Sequence, residues 1–350
     1  MASEPAEKFN VEVRDIDNLR IRRGRPLIAP AILAEDIPLT EKSERFISAA
    51  RSTIAEIVQG RDPRLLVIVG PCSVHDPAAV LEYGERLAQL QAHISQRLCI
   101  VMRVYFEKPR TTVGWKGFIN DPYLDQSFKV NEGLRQARQL LANLTELELA
   151  CATEFLDTTF GQYFSDLISW GAIGARTVES QIHRQLASGL SMPVGIKNST
   201  SGNVSVAVDA LVAAKGSHLF PSLTKEGAPA LLETTGNPDC HLILRGGSKP
   251  NFAAADVAQA ARELDERDIS TGIVVDCSHG NSNKDPSRQP AIAQEILRQR
   301  TQGQHKLVGL MIESHLQGGR QNRPQTYGQS ITDACLGWTE TEDLLMALSE

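Results

Sequence analysis

The sequence predicts a (β/α)8 TIM barrel with an N-terminal arm and an inserted β-hairpin. Eight short apolar, β-rich runs recur along the chain, and helix-like segments separate most of them. This alternation is typical of a parallel sheet covered by helices, and eight such units close into a barrel. The chain has 350 residues, of which 41% are hydrophobic, so it is long enough for one barrel with a large core.

The first 60 residues form a separate unit in this prediction. Residues 1–40 are charged and interrupted by proline, and a helix follows, with Thr40 as its N-cap candidate and Gly60 at its end. We expect residues 1–60 to form a regulatory and oligomerisation arm that docks through this helix. Residues 61–350 are expected to form the catalytic barrel.

Eight apolar runs are the predicted barrel strands. They lie at 65–70, 98–106, 147–155, 171–176, 193–197, 240–245, 272–277 and 307–312. Helical segments are expected around 78–93, 133–143, 204–214, 253–267 and 291–300. Two further extended runs break the alternation, with turn residues Gly227 and Pro229 between them, which predicts a hairpin inserted at about 217–237.

A polar, charged or metal-binding residue closes each predicted strand, at its C-terminal end or just beyond it. In chain order these residues are Cys72, Arg103, Glu154, Arg176, Lys197, Arg245, His279 and Glu313. Barrel enzymes carry their chemistry at the C-terminal ends of the strands. We therefore expect these side chains to share one site.

Cations dominate one part of this set. The cluster comprises Arg103, Arg176, Lys197 and Arg245, joined by Lys108 and Arg110 just after the second strand. Arginine binds phosphate and carboxylate oxygens in a bidentate manner, so the predicted ligand is a phosphorylated carboxylic acid.

Possible metal ligands form the other part. Cys72, His279 and Glu313 follow the first strand and the last two, which become neighbours when the barrel closes. With Asp333 from the loop beyond, they form a thiolate, imidazole and carboxylate set that suits one divalent transition metal ion. These residue types do not select among Mn, Fe, Co and Zn.

Composition and missing motifs exclude several classes of protein. A net charge of −6 argues against a nucleic-acid or membrane partner, and no apolar run approaches the roughly 20 residues that cross a bilayer. The N-terminus lacks a signal-peptide layout, so we expect a cytoplasmic protein. The chain has no HExxH, no Walker P-loop and no GxGxxG after a strand, which removes the main support for protease, nucleotide hydrolase and dinucleotide enzymes.

Longer motifs around these residues resemble one family. They are GPCSVHDP (70–77), KPRTT (108–112), ATEFLD (152–157), GAIGART (171–177), PVGIKN (193–198), ILRGG (243–247), VDCSHGNS (275–282) and YGQSITDACLGW (327–338). The chain resembles the feedback-regulated type I 3-deoxy-D-arabino-heptulosonate 7-phosphate (DAHP) synthases over nearly its whole length. That family condenses phosphoenolpyruvate with erythrose 4-phosphate and water, releasing phosphate, at the entry to the shikimate pathway of chorismate and aromatic amino-acid biosynthesis.

The resemblance implies a role for each candidate. The metal ligands would be Cys72, His279, Glu313 and Asp333. Phosphoenolpyruvate would be bound by Arg103, Gly174, Ala175, Arg176, Lys197 and Arg245. The phosphate of the aldose would be bound by Arg110 and Thr111. Lys108 is the expected proton donor to the aldehyde oxygen, although charge neutralisation alone stays open. Glu154 is a candidate for activating the water that adds at carbon 2, and Asp276 for supporting the metal centre or capping a helix.

Regulated members use the arm and the hairpin to bind an aromatic amino acid. The matching positions are Thr158, Gly161, Gln162, Leu186, Leu190, Ser191, Phe220, Ser222 and Leu232. Forms sensitive to phenylalanine or tyrosine usually have proline where this chain has Gly161, so the resemblance favours tryptophan as inhibitor, with tyrosine second. It also implies a homodimer or a homotetramer.

Two other functions remain open at this point. One is a sister synthase that uses phosphoenolpyruvate with another aldose phosphate, against which KPRTT argues. The other is a non-catalytic sensor of aromatic amino acids, against which the intact set of Cys72, Lys108, His279, Glu313 and Asp333 argues.

Overall fold

Eight parallel strands form a closed barrel in the computed structural model, which describes residues 18–110 and 112–350. The strands of the described chain are β1 Leu65–Gly70, β2 Leu98–Arg103, β3 Ala150–Glu154, β4 Trp170–Ile173, β5 Val194–Lys197, β6 Leu219–Leu223, β7 Pro229–Glu233, β8 His241–Leu244, β9 Ile273–Asp276, β10 Leu307–Glu313, β11 Gln317–Arg320 and β12 Gln329–Ser330. The barrel runs in the order β1–β10–β9–β8–β5–β4–β3–β2 and then closes on β1. The predicted fold class is confirmed.

Apolar side chains cover both faces of this barrel. Apart from half-buried Cys99, every residue of the eight barrel strands is buried. Inside the barrel, Ile68, Trp170 and Met311 belong to one packed cluster, while the outward faces pack against the helices. Strands buried on both faces read as continuous apolar runs, which is why the sequence predicts them well.

Helices follow the barrel strands and cover the outside. The helices of the described chain are α1 Pro30–Asp36, α2 Glu41–Val58, α3 Pro77–Ile94, α4 Val130–Glu146, α5 Gly161–Phe164, α6 Gln181–Gly189, α7 Ser205–Lys215, α8 Ala254–Asp265, α9 His279–Ser282, α10 Gln289–Thr301 and α11 Trp338–Leu348. The sequence did not single out α6 or α11. Helix α6 is only nine residues long and no side chain caps its N-terminus, so its local signal is weak.

The arm contains two helices rather than the one predicted. Helix α1 precedes α2, and Tyr163 donates a hydrogen bond to the carbonyl of Ile28 just before it. Thr40 caps α2 by accepting from the amide of Ser43 at 3.1 Å, as predicted. On α2, Ile57 belongs to the same cluster as the barrel interior, so this helix covers one end of the barrel. The division of the chain at residue 60 stays a prediction.

An antiparallel hairpin interrupts the barrel between β5 and β8. Strand β6 pairs with β7, with Phe220 opposite Leu232, and α7 precedes the pair. This confirms the predicted insertion at about 217–237. None of the described helices is both long and apolar enough to cross a membrane.

Candidate active site and regulatory cavity

A cavity of about 580 Å³ lies at the C-terminal ends of the barrel strands. The predicted residues that line it are Cys72, Lys108, Arg110, Glu154, Gly174, Ala175, Arg176, Lys197, Arg245, His279 and Asp333. Three further predicted residues, Arg103, Asp276 and Glu313, are fully buried and do not line it. Thr111 lies outside the described residues.

Three candidate metal ligands converge at one side of this cavity, and the fourth, His279, lies against Glu313. Strands β1, β10 and β9 are neighbours, which brings Cys72, Glu313 and His279 together as expected. Ligand atoms of Cys72, Glu313 and Asp333 all lie within 4.8 Å of one another. The Nε2 atom of His279 lies 3.7 Å from Oε1 of Glu313. One thiol, one imidazole and two carboxylates fit a divalent transition metal, so the residues present suit such an ion.

Charged groups contact three of these ligands. Lys108 Nζ donates to Cys72 Sγ at 3.2 Å, and Arg103 Nη2 donates to Glu313 Oε1 at 3.0 Å. Nδ1 of His279 lies 2.9 Å from Oδ2 of Asp276, which leaves its other ring nitrogen on the side of Glu313. Such partners orient metal-binding side chains.

The same charges shift the acidities of the site. Burial alone raises the pKa of Glu313, but His279, Arg103 and Lys108 outweigh it and lower the pKa to about 2. Burial and the nearby Glu313 carboxylate raise the pKa of the Cys72 thiol. Burial works against the charged form of Lys108, yet Cys72 and Glu313 raise its pKa. The ammonium of Lys108 is therefore protonated at neutral pH, as a proton donor must be.

Arg103 pairs with Glu313 and does not line the cavity. Its three guanidinium nitrogens bond to the carbonyl of Pro71, to Sδ of Met311 and to Glu313. The side chain is fully buried beneath the cavity. In this structure Arg103 is the charge partner of Glu313, and each of its three guanidinium nitrogens makes one hydrogen bond within the protein.

The other predicted anion-binding cations line the cavity. Among residues 18–110 and 112–350, Arg110, Arg176 and Arg245 make no ion pair with any carboxylate. Lys197 Nζ donates to Asp276 Oδ2 at 2.9 Å. Unpaired cations in a concave site attract anions strongly.

Two backbone features shape the cavity wall. A Cβ on Gly174 would collide with Oε1 of Glu154, so glycine is needed there for Glu154 to reach the cavity. Asn198 accepts from the amide of Arg245 at 2.8 Å and donates to the carbonyl of Gly246, which fixes the chain after β8. Both features order side chains that the sequence singled out.

Several residues in the cavity were missed by the sequence reasoning. They are Thr200, Asn283, Lys284, Arg320 and Thr332. Most lie on loops beyond the strand ends, and of the five only Thr332 falls within a quoted motif, YGQSITDACLGW (327–338). Lys284 is the most informative, because its Nζ lies 3.5 Å from Oδ1 of Asp333. The one available signal was its position five residues after His279.

A second cavity, of about 600 Å³, lies under the hairpin. All nine predicted regulatory residues line it: Thr158, Gly161, Gln162, Leu186, Leu190, Ser191, Phe220, Ser222 and Leu232. Lys225 and Glu233, which the sequence did not single out, also line it. Lys225 ties the hairpin turn to neighbouring elements, because its Nζ donates to the carbonyl of Gln162 and its own carbonyl accepts from Ala31.

Comparison with known proteins identifies the family. A sequence profile described as the DAHP synthetase I family matches residues 36–346. The chain belongs to this family. The resemblance drawn from the motifs is therefore confirmed, and with it the prediction that the chain is an enzyme, a transferase of the DAHP synthase type.

Individual relatives agree with the profile. The chain is 50% identical to the phenylalanine-sensitive phospho-2-dehydro-3-deoxyheptonate aldolase of Escherichia coli K12 over 95% of this chain and 96% of that protein. It is 53% identical to the tryptophan-sensitive enzyme of Enterobacter agglomerans over 95% of this chain and 97% of that protein. The solved structure of the enzyme from Francisella tularensis SCHU S4 matches with a TM-score of 0.92 and 50% identity, covering 94% of this chain and 97% of that one.

Proposed function

We propose that this chain condenses phosphoenolpyruvate with erythrose 4-phosphate and water to form DAHP and phosphate, the first step of the shikimate pathway. The supporting observation is one cavity of about 580 Å³ that is lined by Cys72, His279 and Asp333, with Glu313 buried beside them, and by arginines that make no ion pair within the described residues. Two phosphorylated substrates need cations, and a nucleophilic addition to an aldehyde needs stabilisation of the developing negative charge on oxygen.

In this proposal the cations bind the substrates. Arg176, Lys197 and Arg245, with the backbone at 174–175, hold the phosphate and carboxylate of phosphoenolpyruvate. Arg110, with Thr111, receives the phosphate of the aldose. Arg103 supports this site through Glu313, and a direct contact between Arg103 and phosphoenolpyruvate stays a prediction. A bidentate arginine fixes both the position and the orientation of such groups.

The reaction requires one proton donor and one group that orients water. Carbon 3 of phosphoenolpyruvate attacks the aldehyde carbon, and Lys108 gives a proton to the aldehyde oxygen as that oxygen gains charge. Glu154 orients the water and takes its proton as the oxygen adds to carbon 2; the carbon–oxygen bond to phosphate then breaks, so that carbon 2 becomes the ketone and phosphate leaves with the remaining hydroxyl proton. Asp276 orients both Lys197 and His279 through contacts of 2.9 Å.

We propose that Cys72, His279, Glu313 and Asp333 hold one divalent ion of Mn, Fe, Co or Zn. Such an ion, when bound, supplies Lewis-acid polarisation of the aldehyde. A phosphate-release assay with both substrates tests the reaction, first with chelator and then with Mn²⁺ restored. We expect release only with metal. Release with arabinose 5-phosphate in place of erythrose 4-phosphate would favour a sister synthase, and no release with any of the four metals would favour a sensor.

We propose that the cavity under the hairpin binds an aromatic amino acid, with tryptophan favoured and tyrosine second. Its support is that this cavity gathers nine positions from four separate segments of the chain. Gly161 leaves space where a proline ring would stand. Relatives sensitive to phenylalanine and to tryptophan are about equally similar, at 50% and 53% identity, so overall similarity does not choose the effector.

Inhibition assays with each aromatic amino acid test this proposal. We expect tryptophan to inhibit most strongly, and Gly161→Pro to weaken that inhibition while uninhibited activity stays within about twofold, because the cavity is separate from the active site. An unchanged tryptophan response in Gly161→Pro would contradict the role of Gly161.

A homodimer or homotetramer is proposed from exposed apolar residues on the arm and hairpin. Leu19, Ile21, Leu219 and Leu231 are each more than 60% exposed. Such clusters on soluble proteins mark interfaces. Sedimentation measurements on the wild type and on Leu231→Lys test this. We expect the variant to dissociate at a higher protein concentration than the wild type does. The cytoplasmic location stays a prediction.

A further inference from the structure

We propose that Lys284 is a positioning residue that orients the carboxylate of Asp333 and thereby sets the affinity of the site for its divalent ion. This inference rests on the proposed function, because it takes Cys72, His279, Glu313 and Asp333 as the metal ligands. It concerns a residue that no motif in the sequence marked.

The charge pattern of the donor set is the first support. Cys72 is paired with Lys108, Glu313 with Arg103, and His279 with Asp276, at distances of 3.2, 3.0 and 2.9 Å. Asp333 is paired with Lys284 at 3.5 Å. Each candidate ligand therefore has its own charged partner, and Lys284 completes the pattern. Partners of this kind hold ligands in their binding orientation.

Exposure makes Asp333 the ligand that most needs such a partner. Glu313 is fully buried and bonds to both Arg103 and Ser278. The side chain of Asp333 is 35% exposed, and within residues 18–110 and 112–350 the ammonium of Lys284 is the only group that hydrogen-bonds to its carboxylate. Without that contact the Asp333 side chain is free to rotate, and metal binding must restrict it again.

The backbone of Lys284 is the second support. Its amide donates to the carbonyl of His279 at 2.9 Å, so the same residue contacts two of the four ligands, one through backbone and one through side chain. Asn283 and Lys284 both have positive φ, +54° and +62°. A lysine seldom adopts this conformation, and strained residues of this kind concentrate at functional sites.

The ammonium of Lys284 also repels a divalent cation directly, and this repulsion weakens binding of the ion. The side chain of Lys284 is 66% exposed, so water and salt screen its charge. The orienting contact with Asp333 does not depend on long-range charge. We therefore expect orientation to outweigh repulsion, so that removing the ammonium weakens metal binding.

The experiment measures Mn²⁺ binding to the full-length protein by electron paramagnetic resonance of the free ion. Lys284→Met, which keeps the chain length without the charge, is expected to bind Mn²⁺ about 10-fold more weakly than the wild type. Lys284→Arg retains a donor and is expected to recover most of the affinity. Lys249→Met, which removes an exposed lysine without an ion pair in the described chain, serves as control and is expected to bind like the wild type.

Activity separates this role from a structural one. We expect the Mn²⁺ concentration for half-maximal activity to rise about 10-fold in Lys284→Met and to recover in Lys284→Arg, while the melting temperature of the metal-free protein is unchanged.

Distinct outcomes refute the inference and the proposed function. Equal or tighter Mn²⁺ binding by Lys284→Met overturns the inference alone, as does a Lys284→Arg variant that binds as weakly as Lys284→Met. If the wild type binds no Mn²⁺, or if Cys72→Ser leaves binding unchanged, the metal site itself is wrong and both proposals fall.

Discussion

The buried ion pair of Arg103 and Glu313 allows a quantitative test of how the metal-free site is stabilised. Arg103 Nη2 lies 3.0 Å from Glu313 Oε1, and both side chains are completely buried. Arg103→Met keeps much of the apolar volume but removes the cation. The carboxylate of Glu313 then stays buried without its nearest partner, which is the costly way to break such a pair.

Two estimates of the cost agree. Unit charges 4 Å apart interact by about 4 kcal/mol at an effective dielectric constant near 20. Removing one partner of a buried pair typically costs about 3–5 kcal/mol. We therefore expect Arg103→Met to lower the free energy of unfolding by about 4 kcal/mol at pH 7.

The pH dependence has a definite sign. The pKa of Glu313 is about 2 in the folded protein, below its ordinary value of 4.5. Its pairing therefore stabilises the folded state at neutral pH, and this contribution is lost as the pH falls from 4.5 toward 2. In Arg103→Met the carboxyl takes up a proton more easily, so the difference in stability from the wild type should shrink below about pH 5.

Thermal unfolding with chelator present is the assay. An unfolding entropy of about 2.1 cal/mol/K per residue makes 4 kcal/mol equivalent to a fall of about 5 °C in melting temperature for a chain of this length. Adding Glu313→Gln to Arg103→Met removes the unpaired charge and should restore at least half of that fall. Arg45→Met, which breaks an exposed pair with Glu41, is the control and should not change the melting temperature. A fall below about 1 °C, or a double variant no more stable than the single one, would refute the reasoning.

Three further predictions follow from the fold. Burial lowers the pKa of His241 to about 4, so between pH 6.5 and 4 the unfolded chain binds more protons than the folded one, and the free energy of unfolding should fall by about 3 kcal/mol. Denaturant titrations of His241→Gln should show a weaker dependence on pH. A dependence equal to that of the wild type would contradict this prediction. Gly246→Ala should destabilise the protein by several kcal/mol and weaken phosphoenolpyruvate binding, because φ is +71° and a Cβ would meet the backbone of Asn281. The control is Gly303→Ala, where φ is +100° and the space around a Cβ is open. It should cost only about 1 kcal/mol in the same melting assay. Arg138→Met should lower the free energy of unfolding by about 3 kcal/mol, since this buried arginine makes two hydrogen bonds of 2.8 Å to Asp166 and others to Ile37 and Tyr163. Arg298→Met, on the surface, should not change the melting curve. Equal effects of the two substitutions would refute the role of burial.

The barrel was predictable because its strands are buried on both faces. Continuous apolar runs such as 65–70 and 307–312 carry that burial in their composition, and the structure extends the second run by only one residue, to Glu313. Helices were less certain. Helices with and without a side-chain cap were predicted, α2 and α4 among them, whereas α6, which has only nine residues, was missed.

The sequence by itself determined which residue types follow each strand, and parallel connectivity brings those residues to one end of the barrel. Cys72, His279 and Glu313 were therefore expected together, and the structure brings their side chains to one side of the cavity. The tertiary structure alone decided how charges pair across loops: Arg103 points to Glu313 beneath the cavity, and Lys284 reaches Asp333 from 49 residues away. Strand periodicity constrains the direction of a side chain on its own strand, but long-range electrostatic contacts depend on loop conformations that no local pattern encodes.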